Sequence, residues 1–281
     1  MKSIMIPISV VVLTKNEELA IADCIESVVD FDQIIVIDSN SLDRTRVIAS
    51  NLGAKIINFE WNNRYPKKKQ WGLELTEIRN DWVLYLDADE RPTKELVKEI
   101  RKLFDSRRDL NCSAFEIPLS YQFLGKRLKH GHKVRKVALI NRNFCRFPEI
   151  NDLGVTKMWE VEGHYQPLVE GKLGSLRNAI LHSDPDPLFD YFSRHNRYSD
   201  WEAELRLNIS MQKQVRGLRT RQGRFFDYLP WKPLVFFLYS YFWRSGWRDG
   251  REGFNYSIAL SFYYWQISIK VLERRQIAKI I

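Results

Sequence analysis

The first hundred residues repeat one unit: a short, wholly apolar run, a polar cluster at its end, then a stretch of helical periodicity. The apolar runs are Ile8 to Leu13 (ISVVVL), Gln33 to Ile37 (QIIVI), Lys55 to Phe59 and Trp82 to Leu86 (WVLYL). They do not alternate polar with apolar, as a half-exposed strand would. They therefore predict parallel strands covered on both faces. Between them, Ile21, Cys24, Ile25, Val28 and Val29 recur at helical spacing, as do Val47, Ile48 and Leu52, closed by Gly53 as a C-terminal cap. A third helix is expected through Trp71, Leu73 and Leu75. Right-handed crossovers turn such an alternation into an open, mostly parallel sheet with helices on both faces. Ligands of such sheets bind at the carboxyl ends of the strands.

The polar clusters fall at those ends. The first strand runs into Thr14-Lys15-Asn16-Glu17-Glu18, the second into Asp38-Ser39-Asn40-Ser41, and the fourth into Asp87-Ala88-Asp89-Glu90. Three carboxylates within four residues at the end of a buried strand are costly unless a cation sits beside them. Residues i and i+2 of an extended chain share a side, so Asp87 and Asp89 can face one centre while Ala88 points away. A magnesium-type ion takes one or two carboxylates and fills its shell with water and phosphate oxygens. The plainer alternative is an acidic turn before the helix that follows Pro92, where carboxylates complement the helix dipole.

Taken together, ISVVVLTKNEE, VIDSNSLDRT and WVLYLDADE resemble the nucleotide-binding half of family 2 glycosyltransferases of the GT-A fold, over residues 8 to about 104. The resemblance implies that Thr14, Asn16, Glu17, Asp38 and Ser39 contact the nucleotide. It implies that Asp87 and Asp89 face a divalent metal, Mg2+ or Mn2+, on the donor diphosphate. Lys69 and Gln70, in the basic segment 64–70, are expected to join the nucleotide contacts, with Asp87 and Ala88 of the D-x-D. One departure stands out: the family often has glycine where Asn40 follows Asp38-Ser39. Asparagine also tolerates positive φ, so the turn is expected to survive. Glu18 reads equally well as a helix N-terminal charge.

In the second half a helix is expected from Thr93 to Phe104, and a strand over Ser113 to Leu119. The basic segment 126–136 reads as a solvated loop, or alternatively as a patch for acceptor phosphate or lipid headgroups. In Trp159-Glu160-Val161-Glu162-Gly163-His164, carboxylates, an imidazole and aromatics crowd together. Sugar transfer to a hydroxyl needs a general base. Glu162 and His164 are the candidates, and Asp152 is next. A surface loop with ordinary carboxylates is the competing reading. Ser175 to His182 reads as a strand ending in histidine, and the resemblance makes His182 a third metal ligand. A helix is expected over 186–207. The combination EGHYQP, LHSD and RHNRYSDWEA resembles membrane-associated bacterial family 2 transferases of the cell-envelope type.

The net charge is +9, with nine tryptophans and twelve tyrosines. Such a balance suits nucleic acid or an anionic membrane, and no nucleic-acid motif is present. Three widely spaced cysteines argue against a disulfide framework or a zinc site and for a reducing compartment. The apolar start Ile4 to Leu13 is interrupted by Pro7 and lacks a cleavage site, so it reads as a strand of an unsecreted protein. The apolar runs 227–243 and 256–271 fall short of the ~20 residues that span a bilayer. Their interleaved Trp, Tyr and Arg suit helices in the headgroup region. Arg244, Arg248, Arg251, Lys270, Arg274 and Arg275 are the expected lipid-facing cations. A packed helical hairpin is the alternative.

The expected organisation is an α/β GT-A domain over 1–210, with nucleotide-binding and acceptor halves 1–104 and 105–210, and a basic, aromatic helical appendage over 211–281. The expected activity is inverting, metal-dependent transfer from a nucleotide-diphosphate sugar to a glycan or lipid-linked acceptor, at the cytoplasmic membrane face. A nucleotidyltransferase or a non-catalytic membrane scaffold are the rivals. The first would carry a glycine-rich first loop, which Thr14-Lys15-Asn16-Glu17 lacks. The second leaves the acids at the strand ends unexplained.

Overall fold

In a computed structural model, which describes residues 4–62, 64–105, 110–149, 166–208, 211–212, 229 and 231–280, the apolar runs pair side by side. Strands β1 (Ile6–Thr14), β2 (Phe31–Asp38), β3 (Lys55–Asn58) and β4 (Trp82–Asp87) are parallel, in the order β3-β2-β1-β4. Helices α1 (Ile21–Glu26), α2 (Thr45–Asn51) and α3 (Lys68–Leu73) make the connections. The unbroken apolar character of the strands is explained by two cores. Val10, Val12, Leu84 and Leu86 fill one face, and Val11, Ile35, Ile37, Val83 and Tyr85 the other.

The chain then passes through β5 (Glu90–Pro92), α4 (Lys94–Asp105), β6 (Ala114–Phe123), β7 (Lys126–Arg127) and β8 (Arg135–Asn141). After β9 (Cys145–Arg146) come β10 (Leu168–Val169), β11 (Leu173–Ser175), β12 (Ile180–His182) and α5 (Leu188–Leu207). The sheet continues from β4 through β8, β6 and β12 to β5. Strand β8 is antiparallel to both neighbours, β4 and β6, so the sheet is mixed. Register brings the strand ends level: Thr14 opposite Asp38, Leu13 opposite Asp87, and His182 between Tyr121 and Glu90.

Several expectations are corrected. The stretch from Ser175 to His182 is two short strands, because Glu99 accepts the backbone N–H groups of Arg177 and Asn178 and bends the chain there. Helix α1 stops at Glu26, leaving Val29 exposed, and on α2 Ala49 is buried while Val47 faces outward. The basic segment 126–136 is only partly solvated. Lys129 and Lys133 are exposed, but the segment contains β7 and the first residues of β8. Lys126 Nζ donates to the Asp249 carbonyl (2.6 Å), the His130 N–H to Asp249 Oδ2 (2.7 Å), and the Gly131 N–H to the Arg244 carbonyl (2.9 Å).

Those partners belong to the C-terminal segment. It comprises α6 (Lys232–Phe237), a π-helical turn (Leu238–Trp243), a 3-10 turn (Gly246–Asp249) and α7 (Gly250–Ile280). One face of α7 is buried: Tyr256 and Ala259 against Phe123 and Leu128, Ile267 and Val271 against Ala203. Lys270 and Arg274 turn onto Asp200 of α5 (3.1 and 3.3 Å) rather than outward. No described helix is long and apolar enough to cross a membrane. A further basic stretch of the tail, Arg216 to Arg224, expected to lie on the same side as the lipid-facing cations, is outside the described residues.

Candidate functional site

The first two strand ends form a tightly bonded loop pair. Thr14 is buried, its carbonyl accepts the Ser39 N–H (3.1 Å), and its Oγ1 has no partner among the described residues. Asn16 adopts φ +54°; its N–H reaches Ser41 Oγ (2.8 Å) and its Oδ1 accepts the Leu42 N–H (2.9 Å). Asp38 is fully buried and accepts the Ser41 N–H (2.9 Å), with Arg46 at 3.9 Å. Asn40 stands at φ +56°, so the turn forms without glycine. Lys68, buried, donates to the Thr14 carbonyl (3.0 Å). The Lys69 carbonyl accepts the Tyr85 hydroxyl (2.9 Å). Gln70 is engaged within the chain: Oε1 accepts the Phe147 N–H (2.7 Å) and Nε2 donates to Glu74 (2.8 Å).

The D-x-D divides its two carboxylates between two partners. Asp87 Oδ2 lies 2.9 Å from Lys136 Nζ, and the same ammonium lies 2.6 Å from Glu90 Oε2. That Glu90 oxygen also accepts the Asp87 N–H (2.9 Å). Burial pushes the Asp87 carboxyl up, but the charges of Lys136 and then Lys69 outweigh burial and hold it well below the usual carboxylate range. Asp89 Oδ2 instead lies 3.5 Å from His182 Nε2. Burial raises the Asp89 carboxyl above its ordinary value, with His182 opposing and Asp87 adding to the rise. Ala88 is buried in the core beneath them.

Further groups close the edge. Arg194 of α5 grips both Asp184 and Asp186, two and four residues beyond His182. Glu17 sits among them. Burial, then Asp89 and Asp186, push its carboxyl up to about 8, against the pull of Arg194. The acids of the HSDPD stretch are visible in the sequence, but nothing local ties them to Arg194 and Glu17. Lys136, one lysine in a basic run, carried no local signal. Glu162, His164 and Asp152 lie outside the described residues.

Among the described residues, no group of three or more His, Cys, Asp or Glu side chains forms a ready-made metal cage. The residues present do fit an ion that takes few protein ligands. Asp89 and His182 stand together, and the buried His182 Nδ1 has no partner among the described residues. The rest of such an ion's shell comes from phosphate oxygens and water.

A family model described as glycosyl transferase family 2 matches residues 9–157. An uncharacterized glycosyltransferase of Rickettsia conorii is 30% identical over 93% of this chain and 88% of its own length. The lipopolysaccharide core biosynthesis glycosyltransferase LpsC of Rhizobium meliloti is 26% identical over 96% of this chain and 93% of its own. Among solved structures, the mannosyltransferase PcManGT of Pyrobaculum calidifontis, in complex with GDP-Man and Mn2+, shares the fold. Its TM-score is 0.51 at 13% identity, over 95% of this chain and 87% of that one.

Proposed function

The chain belongs to glycosyl transferase family 2 and is a glycosyltransferase with a GT-A-like α/β fold, and from that premise we propose the following activity. It moves a sugar from a nucleoside diphosphate sugar, with Mg2+ or Mn2+, to a hydroxyl of a cell-envelope glycan or lipid-linked acceptor, inverting the anomeric centre. The observation that carries this reading is the level edge at which Thr14, Asp38 and Asp87 meet, with Asp89 beside it against His182. The envelope acceptor is supported by the likeness to LpsC, and the donor and metal by the ligands of PcManGT.

In the proposed reaction the bond from the sugar C1 to the diphosphate oxygen breaks and a bond to the acceptor oxygen forms on the opposite face. The acceptor proton passes to a base, Glu162, His164 or Asp152. The first loop, Asp38 and Ser39 hold the nucleoside, and Lys69 adds positive charge beside the diphosphate. Asp89 and His182 would hold the divalent ion, which when bound neutralises charge on the departing diphosphate.

The protein is further proposed to lie on the cytoplasmic face of the membrane, its C-terminal segment against anionic lipid. Trp231 and Trp243 are 80% and 82% exposed, and Phe254, Ile258, Phe262, Trp265, Ile269 and Leu272 form an exposed line along α7. Aromatic residues with an apolar body and a polar edge suit the headgroup region. Two segments are proposed: the catalytic domain over 1–210, with its two halves, and the tail over 211–281.

A panel of nucleotide sugars, supplied with Mn2+ and then with chelator, tests the activity. Metal-dependent release of free nucleoside diphosphate is expected from one donor. Pyrophosphate exchange would indicate a nucleotidyltransferase, and no turnover of any donor a scaffold.

A further inference from the structure

We propose that Lys136 is a resident cation that reserves Asp87, so that a divalent ion is held through Asp89 and His182, and that Lys136 sets how tightly that ion binds. The inference rests on the metal-dependent reading above and deepens it. Lys136 acts as a positioning residue, through Asp87 and Glu90, and not by contact with the reacting atoms.

The geometry is specific. The Lys136 side chain is 14% exposed, and its ammonium is shared between Asp87 Oδ2 (2.9 Å) and Glu90 Oε2 (2.6 Å). Glu90 is 2% exposed, and a buried carboxylate persists only when it is paired. Glu90 in turn accepts the backbone N–H of Asp87, which ties the pair to the D-x-D turn. The backbone that carries Lys136 is fixed on both sides. Lys136 lies opposite Ile117 in the β6–β8 pairing, and the N–H of the next residue, Val137, donates to Gln166 Oε1 (2.7 Å).

Charge accounts for the consequence. Asp87, Asp89 and Glu90 would together offer three negative charges to a divalent ion, and Lys136 cancels one of them at short range. A unit charge a few ångströms away changes ion affinity by more than a factor of about ten, even at the effective dielectric of a protein surface. The ammonium therefore weakens metal binding. A modest affinity lets the ion arrive and leave with a nucleoside diphosphate. A purely structural ion pair behaves differently: removing it lowers stability and leaves metal affinity unchanged or weaker.

The test is Mn2+ binding to the nucleotide-free full chain, read from the electron paramagnetic resonance signal of free Mn2+. Lys136→Met is expected to bind Mn2+ at least about tenfold more tightly than wild type, and Lys136→Arg to bind as wild type does. If Lys136→Met does not fold, adding Glu90→Gln removes the stranded carboxylate and leaves Asp87 unclaimed. That double variant is also expected to bind more tightly than wild type. Equal or weaker binding by the folded Met variants, with wild type binding normally, overturns the role of Lys136 alone. Absence of Mn2+ binding in wild type and variants alike overturns this inference, whereas donor turnover that chelator leaves unchanged overturns the metal-dependent reading beneath it.

Discussion

Tyr121 faces His182 edge to face, with 5.1 Å between ring centroids, and Tyr256 of the C-terminal helix packs behind Tyr121 at 5.8 Å. The histidine at the functional edge is therefore backed by two aromatic rings, the second from α7. The C-terminal segment forms part of the wall behind the site.

Tyr256→Ala is expected to destabilise the protein by about 3 kcal/mol, the lower end for losing a buried aromatic side chain. Truncation after Ile209 would also strip Ile267 and Val271 from Ala203 and uncover Phe123 and Leu128. The shortened chain is expected to melt well below the full chain and to aggregate. Thermal melts of both check this, and an unchanged melting temperature after truncation would refute the packing role.

Asp89→Asn keeps the size of the side chain and removes its charge beside His182. Turnover at saturating donor and metal is expected to fall by at least about 10²-fold, the scale on which lost electrostatic stabilisation is felt. The circular dichroism spectrum should not change. Near-normal turnover would remove Asp89 from the metal site.

Glu17 gives a stability profile with a defined sign. Its carboxyl, ordinarily at 4.5, is raised to about 8 in the fold by burial first and then by Asp89 and Asp186. Between those values the folded protein keeps a proton that the unfolded chain has released. Metal-free stability from this group is therefore full below pH 4.5, falls as pH rises towards 8, and is flat above. Glu17→Gln is expected to flatten that slope and to be the more stable protein at pH 8. Urea melts at pH 5, 7 and 9 measure it; parallel profiles for the two proteins would contradict the assignment.

Membrane docking is expected to depend on the exposed rings. Phe242 and Trp243 are 57% and 82% exposed, and replacing both with Ser should weaken cosedimentation with anionic vesicles by at least about tenfold. Arg244, Arg248, Arg251 and Arg275 are exposed, each adding about 1 kcal/mol if it reaches the lipid surface. Salt should release part of the bound protein. Lys270→Gln should lower stability rather than vesicle binding, because Lys270 bonds Asn196 and Asp200. Equal binding to neutral and anionic vesicles would refute the charge contribution.

The parallel strands, their crossover helices and the loop chemistry at Thr14, Asp38 and Asp87 could be read from neighbouring residues. An unbroken apolar run, a helical repeat and a polar strand end are each written within about a dozen positions. Folding decided what lies across the edge. Lys136 meets Glu90 and Asp87 from 46 and 49 residues away, and His130 meets Asp249 from 119 away. Contacts between distant segments leave no periodic trace, so Lys136 looked like one charge in a basic run. The same holds for α7. Its composition shows an apolar, aromatic helix, but which face packs on α5 and β6 and which stays exposed depends on partners elsewhere in the chain: Ala203, Phe123 and Leu128 take Tyr256, Ile267 and Val271, and among the described residues Trp265 and Leu272 stay in the exposed line.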